Sequence, residues 1–333
     1  MPLVYIDGLE DNSAVVAVTG TGQTYGVAAR TAKGIQITGS SSSVQIRFPT
    51  PYSDTVTVGF AMRPSTVSGT NVSPAAVALL SDLGTVVHVA MLVVNGNLQI
   101  VRGDSTTPVL ASSTFAPFPA ANRWYYVEMQ ARLHDSLGTV KVNVDGVEVI
   151  NATALDTKNL GVNTTFDTVR FGMGVGGTTI FDDLYMMAGA GDAFQGDCTV
   201  ATLLPTGNGF VNQFLGSDGN SVDNYLLVDE QPPSSTDYVG SATIGQQDLY
   251  TLADLTGSGT VLAVAPTIYA AKDEVGSRTL KPLVRGATTN AGAALPLDFA
   301  YATRQSVFLV NPETGLAWTA AEVNALQAGV EVA

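Results

Sequence analysis

Acidic residues are the first candidates for chemistry in this chain. Asp182 and Asp183 are adjacent in a strand-like run, FDDLYMM, and neighbouring side chains of a strand point to opposite faces. A calcium ion needs six to eight oxygen ligands, so one of these carboxylates could serve such a site only with help from loop acids such as Asp104 or Asp167. We therefore expect the two aspartates to hold loops by accepting backbone N–H bonds. Metal binding and contact with a ligand are the alternatives.

Glycoside hydrolysis is a second chemistry that acids could support. It requires two carboxylates that face one cleft, about 5 to 10 Å apart. The strand-like runs contain no acid-x-acid spacing that would place two carboxylates on one face. Glu128 stands alone among Tyr126, Gln130 and Arg132, and Glu148 lies on the arm of a hairpin. The sequence therefore predicts no catalytic pair of acids.

Histidine, cysteine and glycine-rich segments complete the candidates. His88 lies in an apolar run and His134 in a hairpin loop, and neither shows metal-ligand spacing or a recognisable Ser/His/Asp pattern. The single cysteine, Cys198, excludes an intrachain disulfide and is expected to be a small buried hydrophobe. Residues 172–180 (GMGVGGTTI) lack the lysine and the following helix of a phosphate loop, and residues 191–197 (GDAFQGD) lack the acid spacing of a calcium loop. We predict connectors at both places, and no catalytic, cofactor-binding or metal-ligating residue.

Three consecutive aromatic residues, Trp124, Tyr125 and Tyr126, could be exposed on a sheet. Aromatic rings on a sheet can stack against sugars, or they can lie beneath a crossing loop or a neighbouring subunit. The low charge of the chain favours the second interpretation.

The elements that must position these residues are strands. Apolar and polar residues alternate with period two from the first residues to about position 310, and helical periodicity is almost absent. The alternating apolar positions include Ile35, Ile37, Val44, Ile46, Val56, Val58, Phe60 and Met62. Asn95-Gly96-Asn97 separates two apolar runs and predicts a hairpin. The fold class is therefore predicted to be all-β, built from β-sandwiches.

The most regular pattern spans residues 122–150, NRWYYVEMQARLHDSLGTVKVNVDGVEVI. Odd positions from Tyr125 to Leu133 are predicted to face a core, whereas Glu128 and Gln130 are predicted to face water or light contacts. Asp145-Gly146 is predicted to turn the chain, because both residues tolerate the positive φ of a tight hairpin.

Two domains are expected. Residues 1–190 are predicted to form a jelly roll, and residues 191–333 a second β-sandwich domain with a short C-terminal helix. Thr319-Ala-Ala-Glu322 forms a capping box, Trp318 and Val323 are placed as a hydrophobic staple, and Gly329 is predicted to end the helix.

Composition limits the partners. Charged residues make up 13% of the 333 residues, about half the usual share, which suggests that neighbours cover some of the surface. The net charge of −14 and the lack of a basic cluster argue against nucleic acid. The N-terminus, MPLVYIDGLED, lacks the features of a secretory signal. The uncharged stretch 105–122 is rich in Ser, Thr and Pro, so no membrane insertion is expected.

Several segments together resemble a known family. NRWYYVEMQARLHDSLGTVKVNVDGVEV followed by FDDLYMM resembles the late strands of laminin-G-like, concanavalin A-like jelly rolls. With YIDGLED, DYVGSATIGQQDLYTLADL, AAKDEVGSRTLKPLVRG and NPETGLAWTAAEVNALQAGVEV, the chain resembles LamG-like virion proteins of tailed bacteriophages over nearly its whole length.

This resemblance implies a non-enzymatic structural component of the virion, in the tail, fibre or baseplate, which is assembled in the host cytoplasm. Its expected partners are copies of itself and other virion proteins. A capsid decoration protein and a carbohydrate-binding module for host surface glycans are the alternatives.

Overall fold

The computed structural model describes residues 2–39, 41–67, 76–104, 108–172, 177–191, 194–257 and 259–333. The chain divides into two compact units, Met1–Val200 and Ala201–Ala333. The sequence placed the boundary near residue 190, whereas the first unit continues to Val200. The reason is that residues of the 194–200 segment form hydrogen bonds with side chains of the first unit, for example from the backbone N–H of Gly196 to Glu128.

The first unit is built from antiparallel strands. They are β1 (Leu3–Asp7), β2 (Val15–Thr19), β3 (Gln23–Ala28), β4 (Lys33–Thr38), β5 (Ser43–Arg47), β6 (Thr55–Pro64), β7 (Val77–Ser81), β8 (Val86–Val94), β9 (Asn97–Arg102), β10 (Val109–Ser112), β11 (Tyr125–Arg132), β12 (Gly138–Val144), β13 (Val147–Leu155), β14 (Thr168–Gly172) and β15 (Thr178–Ala188). An eight-stranded sheet has the order β13-β12-β11-β6-β15-β4-β3, with β1 also beside β15, and a seven-stranded sheet has the order β10-β9-β8-β7-β14-β5-β2.

One hydrophobic core joins the two sheets, as period-two patterning requires. Strands of both sheets contribute to it, and its buried aromatic residues include Phe60, Phe171 and Phe181. The ring centroids of Phe60 and Phe171 are 5.4 Å apart in an edge-to-face arrangement, and those of Phe171 and Phe181 are 4.9 Å apart. The predicted all-β sandwich is confirmed.

Both predicted hairpins form. Val94 pairs with Asn97 and Val144 with Val147, so the turns are the two-residue steps Asn95-Gly96 and Asp145-Gly146. All four turn residues have positive φ, between 49° and 77°, which matches the twist of the flanking strands. The odd positions of β11 point into the core as predicted. The even positions Glu128 and Gln130 are also buried, so the prediction of a wet outer face is wrong there.

The second unit is also built from antiparallel sheets. Its elements are β16 (Pro205–Asn212), β17 (Leu215–Gly216), a 3₁₀ turn (Asn224–Leu227), β18 (Val239–Gly240), β19 (Gln247–Leu252), β20 (Thr267–Ala270), β21 (Thr279–Arg285), β22 (Thr289–Ala291), β23 (Leu295–Pro296), β24 (Ala302–Gln305), α1 (Ala320–Asn324) and β25 (Gln327–Val332). A six-stranded sheet has the order β16-β19-β25-β21-β22, with β23 beside β21, and the pairs β17-β18 and β20-β24 form two small sheets.

The C-terminal helix confirms most of its sequence signals. Thr319 is the N-cap, and both hydrogen bonds of the capping box with Glu322 are present. Trp318 and Val323 are buried in one cluster, as a hydrophobic staple requires. The prediction for Gly329 is wrong, because the helix ends at Asn324 and Gly329 lies inside β25.

Strand pairing explains that glycine. A Cβ built on Gly329 would lie 1.9 Å from the backbone oxygen of Asp248 on the neighbouring β19. Glycine is therefore needed there for close approach of two backbones.

Among the described residues, none of the helices has the length and apolar character needed to cross a membrane.

Candidate functional site

The acid pair of β15 lies on an irregular piece of strand. The register between β15 and β6 shifts between Asp182 and Tyr185, and Asp183 has a φ of 54°. Such a bulge redirects side chains from strict alternation. Both carboxylates therefore contact Thr31: Asp182 accepts its backbone N–H at 2.9 Å, and Asp183 accepts its hydroxyl at 2.8 Å. The expectation that the two side chains serve opposite faces is wrong.

The pair holds chain segments in place, as the sequence led us to expect. Asp182 also accepts the backbone N–H of Arg30 at 2.8 Å, and Asp183 accepts that of Val200 at 2.8 Å. The guanidinium of Arg30 lies 3.5 Å from Asp183. Burial and the neighbouring Asp183 raise the pKa of Asp182 to about 7. Both carboxylates are thus committed to loop contacts.

The loop acids proposed as partners lie elsewhere. Asp104 pairs with Arg170 at 2.5 Å, and Asp167 accepts the backbone N–H of Leu83 at 2.6 Å and of Gly84 at 3.2 Å. Within the described part of the chain, no group of three or more His, Cys, Asp or Glu side chains could hold a metal ion.

Glu128 is the acid whose burial the sequence did not predict. Its side chain is only 1% exposed. It accepts the hydroxyl of Tyr185 and, at 2.8 Å, the backbone N–H of Gly196. The hydroxyl of Tyr185 in turn accepts the backbone N–H of Gln195 at 3.2 Å. Residues 194–200, which we call the covering segment, therefore lie across the outer face of the eight-stranded sheet.

The covering segment also packs against one of the aromatic candidates. Tyr126 is buried in a cluster with Tyr185 and Met187, against which Trp124 and Cys198 pack partly buried. Tyr125 belongs to the core. The interpretation that a crossing loop covers aromatic residues is confirmed for Tyr126, whereas Trp124 remains partly exposed.

Cys198 is half-buried in the covering segment. Its thiol lies 3.7 Å from the backbone oxygen of Gln195. Burial, reinforced by the charge of Glu128, raises the pKa of the thiol to about 11. The thiolate, which is the nucleophilic form, is therefore scarce at neutral pH.

The structure assembles one Ser/His/Asp group that the sequence did not show. Nε2 of His88 lies 2.8 Å from Oγ of Ser81, and its Nδ1 accepts the backbone N–H of Asn159 at 3.0 Å. Because Nδ1 accepts, the ring proton lies on Nε2 and points to Ser81, whose hydroxyl donates to Asp82 at 3.1 Å. Burial lowers the pKa of His88. A serine nucleophile needs the opposite polarity, with the imidazole accepting its proton, and this arrangement does not provide it.

The other candidates are held in local contacts. Nδ1 of His134 accepts the backbone N–H groups of Ser136 and Leu137 at 3.0 and 2.9 Å. The prediction of a satisfied histidine is thus confirmed for His134, as it is for His88. Glu148 lies 3.4 Å from Lys141.

The glycine-rich segments fall partly outside the described residues. Residues 173–176 of segment 172–180 and residues 192–193 of segment 191–197 are not described. The rest of 172–180 ends β14 and begins β15. Gly196 takes part in the covering segment, so residues 194–197 do more than connect two elements.

Each unit also has a shallow cleft. The first has a volume of about 470 Å³ and is lined by residues that include Tyr52, Asp54, His134 and Lys158. The cleft of the second unit has a volume of about 330 Å³ and lies beside Trp318 and Glu313. The backbone N–H of Thr288 holds the pKa of Glu313 below its ordinary value, so this acid too is engaged by the backbone.

Comparisons with known proteins give a fold likeness at most. No family model and no curated protein matches the chain. Domain 4 of AbnA, a GH43 extracellular arabinanase from Geobacillus stearothermophilus in complex with arabinotriose, is 16% identical, with a TM-score of 0.34, over 51% of this chain and 77% of that one. An endo-1,3-beta-glucanase from Streptomyces sioyaensis is 13% identical, with a TM-score of 0.35, over 56% and 97%. A Bacillus subtilis protein with a galectin-like fold is 11% identical, with a TM-score of 0.34, over 56% and 96%. Identities and scores this low carry no information about activity.

Proposed function

We propose that this chain is a non-enzymatic structural component of a bacteriophage virion, associated with the tail, a fibre or the baseplate. It acts by packing against copies of itself and other virion proteins. The assignment to a phage particle extends the sequence resemblance. The structural support concerns the non-enzymatic character of the protein and the surfaces it offers to partners.

The main support for the proposal is that the buried acids hold other chain segments in place. Asp182, Asp183 and Glu128 are each at most 1% exposed, and each accepts at least one backbone N–H from a distant segment. A catalytic carboxylate must reach a substrate and exchange protons with it. Carboxylates that are buried and hold loops in place favour a structural role over a catalytic one.

The first unit also offers an edge for assembly. β2 is the outermost strand of the seven-stranded sheet, and its side chains Val16 and Val18 are 50% and 57% exposed. Residues 14–28, which span β2 and β3, carry no charged side chain. An uncharged, apolar edge strand is a ready template for pairing with another chain. Repetition in a symmetric particle would multiply such modest contacts.

The test is quantitative mass spectrometry of purified particles. The proposal expects the chain at a fixed copy number relative to the major tail protein, with antibody label on the tail. Its absence from purified particles would refute the proposal. Label on the capsid surface would instead support a decoration protein, which uses the same packing physics.

A carbohydrate-binding role is a second candidate. The aromatic residues that first suggested it, Trp124 to Tyr126, are covered or partly buried. A different set of aromatic residues in the second unit now favours it, as described below.

A further inference from the structure

The small sheet formed by β20 and β24 presents one aromatic and polar face. Tyr269 pairs with Thr303, and Thr267 pairs with Gln305. Strand alternation places these four side chains on one face, and Tyr301 joins them by stacking on Tyr269. We call these five residues the tyrosine face.

The two tyrosines form a stacked pair. Their ring centroids are 5.1 Å apart and the rings are inclined by 23°. Each ring uses one side on the other, and both residues remain partly exposed. Tyrosine rings combine an apolar body with a hydroxyl that forms hydrogen bonds, which suits a ligand that has both apolar and hydroxyl surface.

Polar groups border the rings. The side-chain amide of Gln305 donates to the hydroxyl of Thr267 at 2.8 Å. Oγ1 of Thr303 is buried and has no hydrogen-bond partner within the described part of the chain. A native structure leaves few buried polar atoms unsatisfied, and each calls for an explanation. Because Oγ1 of Thr303 is shielded from the surface, a ligand on the face would reach the tyrosine hydroxyls and not this atom.

The charge of the face limits the ligand class. None of its five residues is charged, although the chain carries a net charge of −14. The overall negative potential disfavours acidic polymers, and the face offers no cation to bind them.

The size of the face argues for a small ligand rather than a protein. β20 and β24 have four residues each, so the face is about 13 Å long. A stable protein interface buries about 800 Å² on each partner and uses 20 to 30 residues. Five residues cannot provide that area.

We propose that the tyrosine face binds a short neutral saccharide. The rings would pack against the C–H faces of the sugar, while the tyrosine hydroxyls and the amide of Gln305 would bond its hydroxyl groups. This site lies in the second unit and does not depend on the proposed role in a phage particle. If that role holds, the site would give a structural subunit a ligand on the host surface.

The test is affinity gel electrophoresis of the full chain in gels that contain dextran, β-1,3-glucan or galactomannan, with alginate as the acidic comparison. We expect retardation in at least one neutral gel and none in alginate. Tyr301→Ala should raise the dissociation constant about tenfold, as expected when an aromatic contact worth about 1.4 kcal/mol is lost. Tyr301→Phe, which keeps the ring, should lose less.

Phe210→Ala is the matched control. Phe210 is an exposed aromatic of the same unit, 68% exposed, and lies under the guanidinium of Arg285 at 3.8 Å. Its loss should leave the retardation unchanged, and circular dichroism should show that all variants are folded.

Three outcomes would overturn the proposal. They are no retardation in any neutral gel, retardation that Tyr301→Ala and Tyr269→Ala leave unchanged, and a change in oligomeric state on Tyr301→Ala without any change in retardation, which would mark a protein contact. None of them affects the particle measurement, so the two proposals fail separately.

Discussion

Release of the covering segment can be followed through the single thiol of the chain. Cys198 lies within the segment, half-buried, and Glu128 holds the segment by accepting the backbone N–H of Gly196 at 2.8 Å. Glu128→Ala removes this bond and also leaves the hydroxyl of Tyr185 without its acceptor. We therefore expect the segment to open more often in the variant.

The magnitude follows from that one bond. A hydrogen bond to a charged group contributes about 1.5 to 3 kcal/mol. Since 1.4 kcal/mol corresponds to tenfold in an equilibrium constant, the opening constant should rise by about 10- to 140-fold. When opening is fast compared with labelling, the rate at which a disulfide reagent modifies Cys198 should rise by the same factor.

The control is Asp135→Ala, because the Asp135 side chain is 76% exposed and its carboxylate lies 4.0 Å from Lys158. It should leave the labelling rate within about twofold of the wild type, as expected for a surface substitution. Urea titration of both variants separates local opening from global unfolding. Equal labelling rates for Glu128→Ala and the wild type, with both chains folded, would refute the idea that Glu128 secures the segment.

Three further predictions concern stability. The folded-state pKa of Asp182 is raised from 3.8 to about 7. Its contribution to stability is therefore complete below pH 4 and is lost as pH rises through 7, by at most about 4 kcal/mol. Asp182→Asn should reduce the difference between the urea midpoints at pH 5 and pH 8, and an unchanged difference would contradict the assignment. Gly329→Ala should destabilise the second unit by about 3 kcal/mol or more, because its Cβ meets the backbone oxygen of Asp248, whereas Gly240→Ala, with nothing within 4 Å, should change the thermal midpoint little. Thr319→Ala should cost about 1 kcal/mol through loss of the N-cap, and calorimetry showing no loss would mean that the capping box does not stabilise the helix.

Local patterns in the sequence were enough to predict the class of fold. Alternation along β11 places Val127 and Met129 in the core, and the turns at Asn95-Gly96 and Asp145-Gly146 need only residues that tolerate positive φ. The capping box at Thr319 is likewise a property of four consecutive residues. Such features are short-range, so the order of the residues is sufficient to specify them.

Only the tertiary structure decided which side chains are covered. Alternation places Glu128 on the outer face of its sheet, but the segment that buries it begins 66 residues later, at residue 194. A bulge turns Asp182 and Asp183 toward one loop against the expected alternation, and the covering segment packs against Tyr126 and buries it. The period-two pattern determines which side chains face the core and which face away from it in one sheet. Whether another segment covers the outer face depends on contacts between residues far apart in the chain, which no local spacing encodes.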